Sequence, residues 1–183
     1  MFTVVRGARL WDDSDDGLDF CMFDDSPVLV GNTLAWGNGF NRWNLPDHQG
    51  DGNGFKRGGN GVAAGHTVRN STAWGNSAGG FVDNNNPGTM TIDHCTAWKN
   101  ARTGFDFSRS SSTLTKNLAV ADGTDASLGS KSTGSGNSWN TGGTWSPAST
   151  DPSTITGART AAGAIPSSTF LRTGNGADAG ARF

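Results

Sequence analysis

Three aspartates and one lysine are the residues of this chain whose types and spacing point to chemistry. Asp15, Asp16 and Asp19 lie close together, and Lys56 follows inside the glycine-rich segment Gly50–Gly59. Clustered carboxylates provide the oxygen ligands that a hard cation such as Ca²⁺ prefers. A lysine beside such a cation can, in its neutral form, remove a carbon-bound proton. This chemistry requires a fold that places Lys56 over the aspartates.

An internal repeat supplies the elements that could position them. Five segments align without gaps, each with an aliphatic residue six positions before an anchor residue; the anchors are Trp11, Trp36, Trp74, Trp98 and Val120. Most of the anchors are 22 to 25 residues apart, and a longer interval contains an insertion near residues 40–49. This period, with few helix formers, indicates a parallel β-solenoid and fits neither a leucine-rich repeat nor a propeller blade. We therefore predict an all-β fold, a parallel β-helix of about five coils.

Residues at equivalent positions of stacked coils form ladders, because neighbouring strands lie about 4.8 Å apart. We expect one inward ladder of Leu18, Phe55, Phe81 and Phe105, and a second inward ladder made of the five anchor residues. We expect asparagines to exchange amide hydrogen bonds in two sets: Asn32, Asn70 and Asn117, and Asn38, Asn76 and Asn100. Strand side chains alternate, so Asp19 should lie directly beneath Lys56 on an outward face.

The repeat fades after about Asp122, which predicts two regions. Residues 1–125 are expected to form the coils that carry the metal and catalytic face. Residues 126–183 are expected to form a last irregular coil and a tail packed on the helix, because their apolar residues favour packing over disorder; these are Trp139, Trp145, Phe170 and Leu171. Two cysteines are too few for a disulfide framework, so we expect Cys21 and Cys95 to be free, buried thiols, with a single bridge as the alternative.

Charge and hydropathy exclude several classes of partner. The net charge is −2 and the pI is about 5.8, which gives no basic field for nucleic acid. No segment is apolar enough to predict a membrane span, and the first residues lack the pattern of a signal peptide. These features favour a cytoplasmic chain or a piece of a longer secreted one.

The order and spacing of several motifs resemble the pectate lyases of polysaccharide lyase family 9. The motifs are Ser14–Phe20, Gly52–Gly59, His66–Ser71 and Asn84–Gly88, with a similar tail segment from Ile165 to Gly180. The resemblance implies a right-handed parallel β-helix in a secreted parent enzyme that cleaves polygalacturonate by β-elimination and uses Ca²⁺. It also implies that Asp15, Asp16 and Asp19 are metal ligands and that Lys56 is the catalytic base.

Further expectations follow from that resemblance. Ca²⁺ and Arg57 near Lys56 are expected to lower the pKa of its ammonium, which would favour activity at alkaline pH. Arg57, Arg102 and His66 are candidates for binding substrate carboxylates or hydroxyls, with a structural role as the alternative for each. A family calcium site also takes a carboxylate from an earlier coil, and we expect that coil to be missing here.

A missing coil would leave the first coil uncapped, which favours self-association through it. It also keeps two alternatives to a lyase open. One is a catalytically weak or inactive β-helix that binds acidic polysaccharide, and the other is a purely structural β-solenoid segment.

Overall fold

The computed structural model describes residues 3–23 and 27–183, which form short strands stacked in three parallel sheets. In chain order the strands are β1 (Thr3–Arg6), β2 (Arg9–Trp11), β3 (Leu18–Asp19), β4 (Val28–Gly31), β5 (Leu34–Trp36), β6 (Phe55–Lys56), β7 (Thr67–Arg69), β8 (Thr72–Trp74), β9 (Phe81–Val82), β10 (Thr91–Asp93), β11 (Thr96–Trp98), β12 (Thr103–Phe107), β13 (Thr113–Thr115), β14 (Leu118–Val120), β15 (Thr124–Leu128) and β16 (Thr133–Ser135). Two single-turn helices follow, α1 (Ser138–Thr141) and α2 (Ser153–Thr156).

Each coil contributes one strand to each sheet. Sheet A has the order β1-β4-β7-β10-β13-β16, sheet B the order β2-β5-β8-β11-β14, and sheet C the order β3-β6-β9-β12-β15. Coil 1 therefore contains β1 to β3, and coils 2 to 5 continue in steps of three strands. The predicted all-β parallel solenoid of about five coils is confirmed. The division at residues 125 and 126 stays a prediction, and β15 contains residues from both sides of it.

The phenylalanine ladder faces inward, as predicted. Phe55, Phe81 and Phe105 are fully buried and occupy paired positions of β6, β9 and β12. Their rings stack almost parallel, with centroids 4.8 Å apart for the first pair and 4.9 Å apart for the second. The same interior contains the inward valine, isoleucine and leucine side chains of sheet A. This ladder aligns sheet C, which carries the candidate site.

The tryptophan ladder faces outward, so the expectation of a second inward ladder was wrong. The inward positions of sheet B belong to the preceding alanines, such as Ala35, Ala73 and Ala97. In these three-residue strands the central side chain faces the interior and the two flanking ones face out. Trp36 stacks between Trp11 and Trp74 outside the coils, at centroid distances of 5.2 and 4.8 Å. The narrow interior here is filled by alanine, and the indoles form an external aromatic stack.

The tail covers part of this stack. Phe170 packs edge-on against Trp74, with ring centroids 5.1 Å apart, and also contacts Trp98 at 5.9 Å. Ile155 and Leu171 complete the same buried cluster. The opposite end of the stack is open, because Trp11 is 55% exposed. The C-terminal residues are therefore ordered by indole rings that the coils present to them.

One asparagine ladder is confirmed and extends further than expected. The Nδ2 atoms of Asn38, Asn76 and Asn100 each donate to the Oδ1 of the next residue in the row, at 2.8 to 2.9 Å, and the last acceptor is Asp122. The second expected set was partly wrong. Asn70 Nδ2 donates to Asn32 Oδ1, but Asn117 lies one position later in its coil and pairs with Asn137.

Replacing Asp122 by asparagine is expected to stabilise the fold at alkaline pH. Burial raises the pKa of Asp122 to about 7, although hydrogen bonds from Asn100 oppose the shift. A raised folded-state pKa means that its contribution to stability falls as the pH rises from about 4 to about 7. An amide at residue 122 carries no charge and can donate to a backbone carbonyl, as Asn76 Nδ2 does to Ala35 O and Asn100 Nδ2 to Ala73 O.

We expect the Asp122→Asn variant to gain about 1–2 kcal/mol in free energy of unfolding near pH 8 and less near pH 4. Urea unfolding at both pH values measures the difference. The exposed Asp47→Asn exchange controls for the loss of one negative charge. An equal effect of Asp122→Asn at both pH values would contradict the electrostatic explanation.

Both cysteines are free, but only one is buried. Cys95 lies in the interior, where burial raises the pKa of its thiol to about 12. Cys21 is exposed, so the expectation of two buried thiols was wrong for this residue. Within residues 3–23 and 27–183, no helix has the length and apolar character that a membrane crossing requires.

Candidate active site

Sheet C places Lys56 directly above Asp19. The pairing of β3 with β6 sets Leu18 opposite Phe55 and Asp19 opposite Lys56. Because the leucine and phenylalanine face the interior, the aspartate and the lysine share the outer face. This is the register that the repeat predicted.

The Lys56 ammonium lies among three carboxylates. Its Nζ atom is 2.6 Å from Asp51 Oδ2, 3.1 Å from Asp16 Oδ2 and 3.2 Å from Asp19 Oδ2. The lysine side chain is only 9% exposed, and the Asp16 side chain is 1% exposed. A partly desolvated cation surrounded by three anions is held more firmly than an ordinary surface ion pair.

The other oxygen of two carboxylates is anchored to the backbone. Asp16 Oδ1 accepts from the backbone N–H and the side-chain amide of Asn53, at 2.7 and 2.9 Å, while Asp19 Oδ1 accepts from Cys21 N–H at 2.7 Å. Asp16 Oδ2 has no well-formed hydrogen bond. Burial raises the pKa of Asp16, although the contacts with Asn53 and Lys56 oppose the rise. With Oδ1 held in this way, the Oδ2 atoms of Asp16 and Asp19 both face the Lys56 ammonium.

Asp51 is a site residue that the sequence analysis missed. It lies in the long connection between β5 and β6, and its backbone N–H donates to Asp15 Oδ1 at 2.7 Å. His48 Nε2 and Ser14 O, 2.6 Å apart, also tie this connection to coil 1. Asp15 thus holds the loop that presents Asp51 and makes no contact with Lys56 itself. The available signal was the carboxylate beside Gly52 within the lysine motif.

The protein's own groups raise the pKa of Lys56. Burial alone would lower it, but hydrogen bonds and charge from Asp51, Asp16 and Asp19 outweigh that effect. Arg57 was expected to lower the pKa of Lys56, but it has no such effect here because the carboxylates dominate the surroundings of the ammonium. The pKa could fall only if another cation neutralised these carboxylates.

Arg57 and His66 lie inside the coils, away from the outer face of Lys56. The Arg57 guanidinium is fully buried, lies 5.3 Å from the centre of the Phe55 ring, and has no hydrogen-bond partner on any of its three nitrogens. Burial lowers its pKa to about 9. His66 Nδ1 accepts from the backbone N–H of Val28, and burial together with Arg57 lowers the pKa of the ring to about 4. Neither side chain reaches a surface that a polysaccharide could contact in this structure.

Arg102 lies in a polar groove that begins at Asp51. The groove has a volume of about 280 Å³ and runs along the outer side of sheet C across coils 2, 3 and 4. Its polar lining residues are Asp51, Asn53, Asp83, Asn84, Asn85, Arg102, Thr103, Asp106, Ser108 and Arg109. Arg109 is a second cation that the sequence analysis did not single out. The structure thus brings Lys56, Asp16, Asp19 and Arg102 to one side of the molecule.

The donor set of this site fits a hard cation. In the structure Asp16, Asp19 and Asp51 direct oxygen atoms at the Lys56 ammonium, and Ca²⁺ prefers such anionic oxygen ligands. The carboxylates are not closed around a metal position: among residues 3–23 and 27–183, no three acidic, histidine or cysteine side chains are grouped closely enough to hold one. The same oxygens could bind a metal only after Lys56 moves away from them.

Comparison with known protein families identifies the family to which this chain belongs. The family described as "Pel9A-like, right handed beta helix region" matches residues 2–117. The chain belongs to the Pel9A-like right-handed β-helix family. Membership confirms the handedness that the sequence resemblance implied, and the matched residues include the aspartates, Lys56 and the groove.

Individual proteins that are similar to this Pel9A-like chain support its assignment to the family. Pectate lyase PEL9 of Emericella nidulans is 39% identical over 201 residues, which cover 97% of this chain and 49% of the relative. The crystal structure of pectate lyase Pel9A superposes with a TM-score of 0.79 at 33% identity, covering 94% of this chain and 44% of that one. A rhamnogalacturonan lyase superposes with a TM-score of 0.80 at 25% identity, over 93% and 47% of the two chains. The chain spans about half the length of these relatives.

Proposed function

We propose that this chain forms the catalytic β-helix of a Ca²⁺-dependent pectate lyase that cleaves polygalacturonate by β-elimination. One observation carries the proposal: oxygens of Asp16, Asp19 and Asp51 converge on the Lys56 ammonium at the end of a polar groove. Membership of the Pel9A-like family supports the same reaction, because relatives with this β-helix are named pectate lyases.

Asp15, Asp16 and Asp19 are the proposed metal ligands, and Asp51 is the carboxylate nearest to them from coil 2. The Oδ1 atom of each of the three ligands accepts a backbone N–H bond, which restrains the carboxylate independently of Lys56. Calcium bound there would neutralise the substrate carboxylate and stabilise the negative charge that develops when the neighbouring carbon loses its proton.

Lys56 is the proposed base. Its neutral amine takes the proton from C5 of a galacturonate unit, and the electrons of that C–H bond form the C4–C5 double bond. The glycosidic oxygen on C4 leaves with the electrons of the C–O bond and takes a proton from water. The ammonium observed here must first lose its proton, which the three carboxylates oppose. Neutralising those carboxylates removes the opposition, so activity should rise toward alkaline pH.

Arg102 is the proposed substrate contact, together with Arg109 in the same groove. Guanidinium groups bind carboxylates with directed hydrogen bonds, which suits a polymer that carries one carboxylate on each sugar unit. Arg57 and His66 are assigned to the interior instead, because their burial leaves a polysaccharide no access to them. Their proposed role is to support the strand that carries Lys56.

Calcium removal tests this proposal. With polygalacturonate and Ca²⁺ we expect a rise in ultraviolet absorbance from the unsaturated uronate product, a complete loss of that rise with EDTA, and recovery when Ca²⁺ is added back. Mg²⁺ serves as the matched ion, since it is smaller and demands stricter geometry. Full activity in EDTA would contradict a calcium-dependent mechanism.

A second candidate function is polysaccharide binding without cleavage. It is favoured by the three carboxylates that keep Lys56 protonated in this structure. Calorimetry combined with a product assay separates the two candidates, because both would bind polygalacturonate but a binding module would give no unsaturated product at any pH. A product that accumulates with time would exclude this alternative.

A further inference from the structure

A second pocket lies between coils 1 to 3 and the tail, and several arginines line it. It has a volume of about 480 Å³, and its cationic lining residues are Arg6, Arg159 and Arg182. None of its lining residues is an aspartate or a glutamate, and none is shared with the groove beside Lys56. The chain as a whole has a net charge of −2, so this concentration of positive charge is local.

The side chain of Arg159 is held in place by backbone carbonyls. Its Nη1 donates to Gly163 O at 3.0 Å, and its Nη2 donates to Gly7 O at 2.8 Å. Arg182 is fixed through its backbone, because its N–H donates to Asn70 Oδ1 at 2.6 Å. These bonds hold two arginine residues at the pocket before any ligand binds. Such preorganisation lowers the entropic cost of binding.

Negative charge is scarce around these arginines. Among the residues that the structure describes, Arg6, Arg9 and Arg159 have no carboxylate within ion-pair distance, whereas Arg182 pairs with Asp178 at 3.1 Å. The Phe183 carbonyl oxygen accepts a hydrogen bond from Arg172 Nη2 at 2.6 Å.

Arg9 does not line the pocket, but its charge acts on that of Arg159, which does. Arg9 Nη1 donates to Gly157 O at 2.6 Å, but its Nε and Nη2 atoms are buried without a hydrogen-bond partner. Burial and the nearby positive charge of Arg159 both lower the pKa of Arg9. An anion bound beside Arg159 would offset the repulsion between these two positive charges.

The rest of the lining is apolar enough to contact the face of a sugar ring. Ala162, Ala164, Ile165 and Phe183 form this part of the wall. A uronate unit combines a carboxylate with an apolar C–H face, and it therefore matches both parts of the pocket. A small inorganic anion would use the arginines alone and leave the apolar wall uncovered.

We propose that the pocket lined by Arg6, Arg159 and Arg182 is a second, non-catalytic binding site for uronate units of an acidic polysaccharide. This inference rests on the proposed function for the nature of the polymer. A second site would hold a distant stretch of the same chain and raise its effective concentration near the groove.

Calorimetry with a galacturonate tetramer in EDTA tests the proposal. The measurements use an Arg102→Gln background, which weakens the groove beside Lys56. Adding Arg6→Gln or Arg159→Gln is expected to weaken tetramer binding about tenfold, the loss of one charge-assisted hydrogen bond. Because Arg6 is exposed, its variant should fold even if Arg159→Gln does not. Binding unchanged in the Arg6→Gln chain would overturn the site.

Two further ligands identify the chemistry. A neutral galactose tetramer tests the need for the carboxylate, and inorganic phosphate tests for a general anion site. We expect clear binding of the galacturonate tetramer only; equal binding of phosphate would overturn the assignment to uronate. Arginine-dependent tetramer binding in a chain without lyase activity would support this site and reject the proposed catalysis, so the two failures are distinguishable.

Discussion

Replacing Lys56 by alanine is expected to lower kcat/KM on polygalacturonate by about 10²- to 10⁴-fold, the usual contribution of a positioned general base. The Nζ atom is the only basic group among the oxygens of Asp16, Asp19 and Asp51 in the part of the chain that the structure describes. Without it, the groups left at this point of the described structure are carboxylates, which are much weaker bases than an amine. Initial rates of ultraviolet absorbance increase, at saturating Ca²⁺, measure the loss.

The matched control is Lys131→Ala, which removes an exposed lysine far along the chain from the site. It should retain full activity. Removing the ammonium leaves three carboxylates facing one another, and their repulsion could disturb the fold. Circular dichroism therefore checks that the Lys56→Ala chain is folded like the unaltered chain. Calcium relieves that repulsion, so we expect metal affinity to persist or increase. A folded Lys56→Ala chain with normal turnover would reject the lysine as base.

Replacing Phe81 by alanine is expected to lower the free energy of unfolding by about 3–5 kcal/mol. Phe81 is fully buried and is the central ring of the inward ladder, stacked on Phe55 and Phe105. The truncation removes both ring contacts and leaves a cavity that neighbouring coils cannot close, because their register is set by the sheets. A loss of this size is a large part of the stability of an ordinary domain.

Urea unfolding followed by tryptophan fluorescence measures that loss. The control is Phe40→Ala, because Phe40 is 42% exposed in the connection between β5 and β6. Its truncation should cost far less than that of Phe81. Similar losses for the two variants would show that the stacked ring does not dominate the stability of the interior.

The repeat was sufficient to predict the coils, the phenylalanine ladder and the pairing of Asp19 with Lys56. It failed for the tryptophans because the inward–outward alternation of side chains does not continue from the strand before each turn to the strand after it. Asn32 and Asn70 adopt left-handed backbone conformations between sheets A and B, with φ angles of 50° and 45°. Such a turn resets which side chains face inward. Periodicity read across it therefore assigned the indoles to the wrong side.

The candidate site was predictable where it lies on strands and less so where it depends on a loop. Lys56 and Asp19 follow directly from sheet register. Asp51 reaches the lysine only because its connection bends back over coil 1, and no periodic pattern describes that path. For Arg57 the sequence left substrate binding and a structural role open, and its complete burial favours the structural role.

The contacts between the tail and the coils have a consequence for the order in which the chain can fold. In the sheets, paired residues of neighbouring coils are only 20 to 38 positions apart, as in Thr113 with Thr133 and Leu34 with Thr72. Coils can therefore be added one after another along the growing axis. Asn70 and Arg182 are 112 positions apart, so their contact closes a far larger loop. A nascent chain would thus complete its coils first, with Trp74 and Trp98 uncovered until Phe170 has been synthesised.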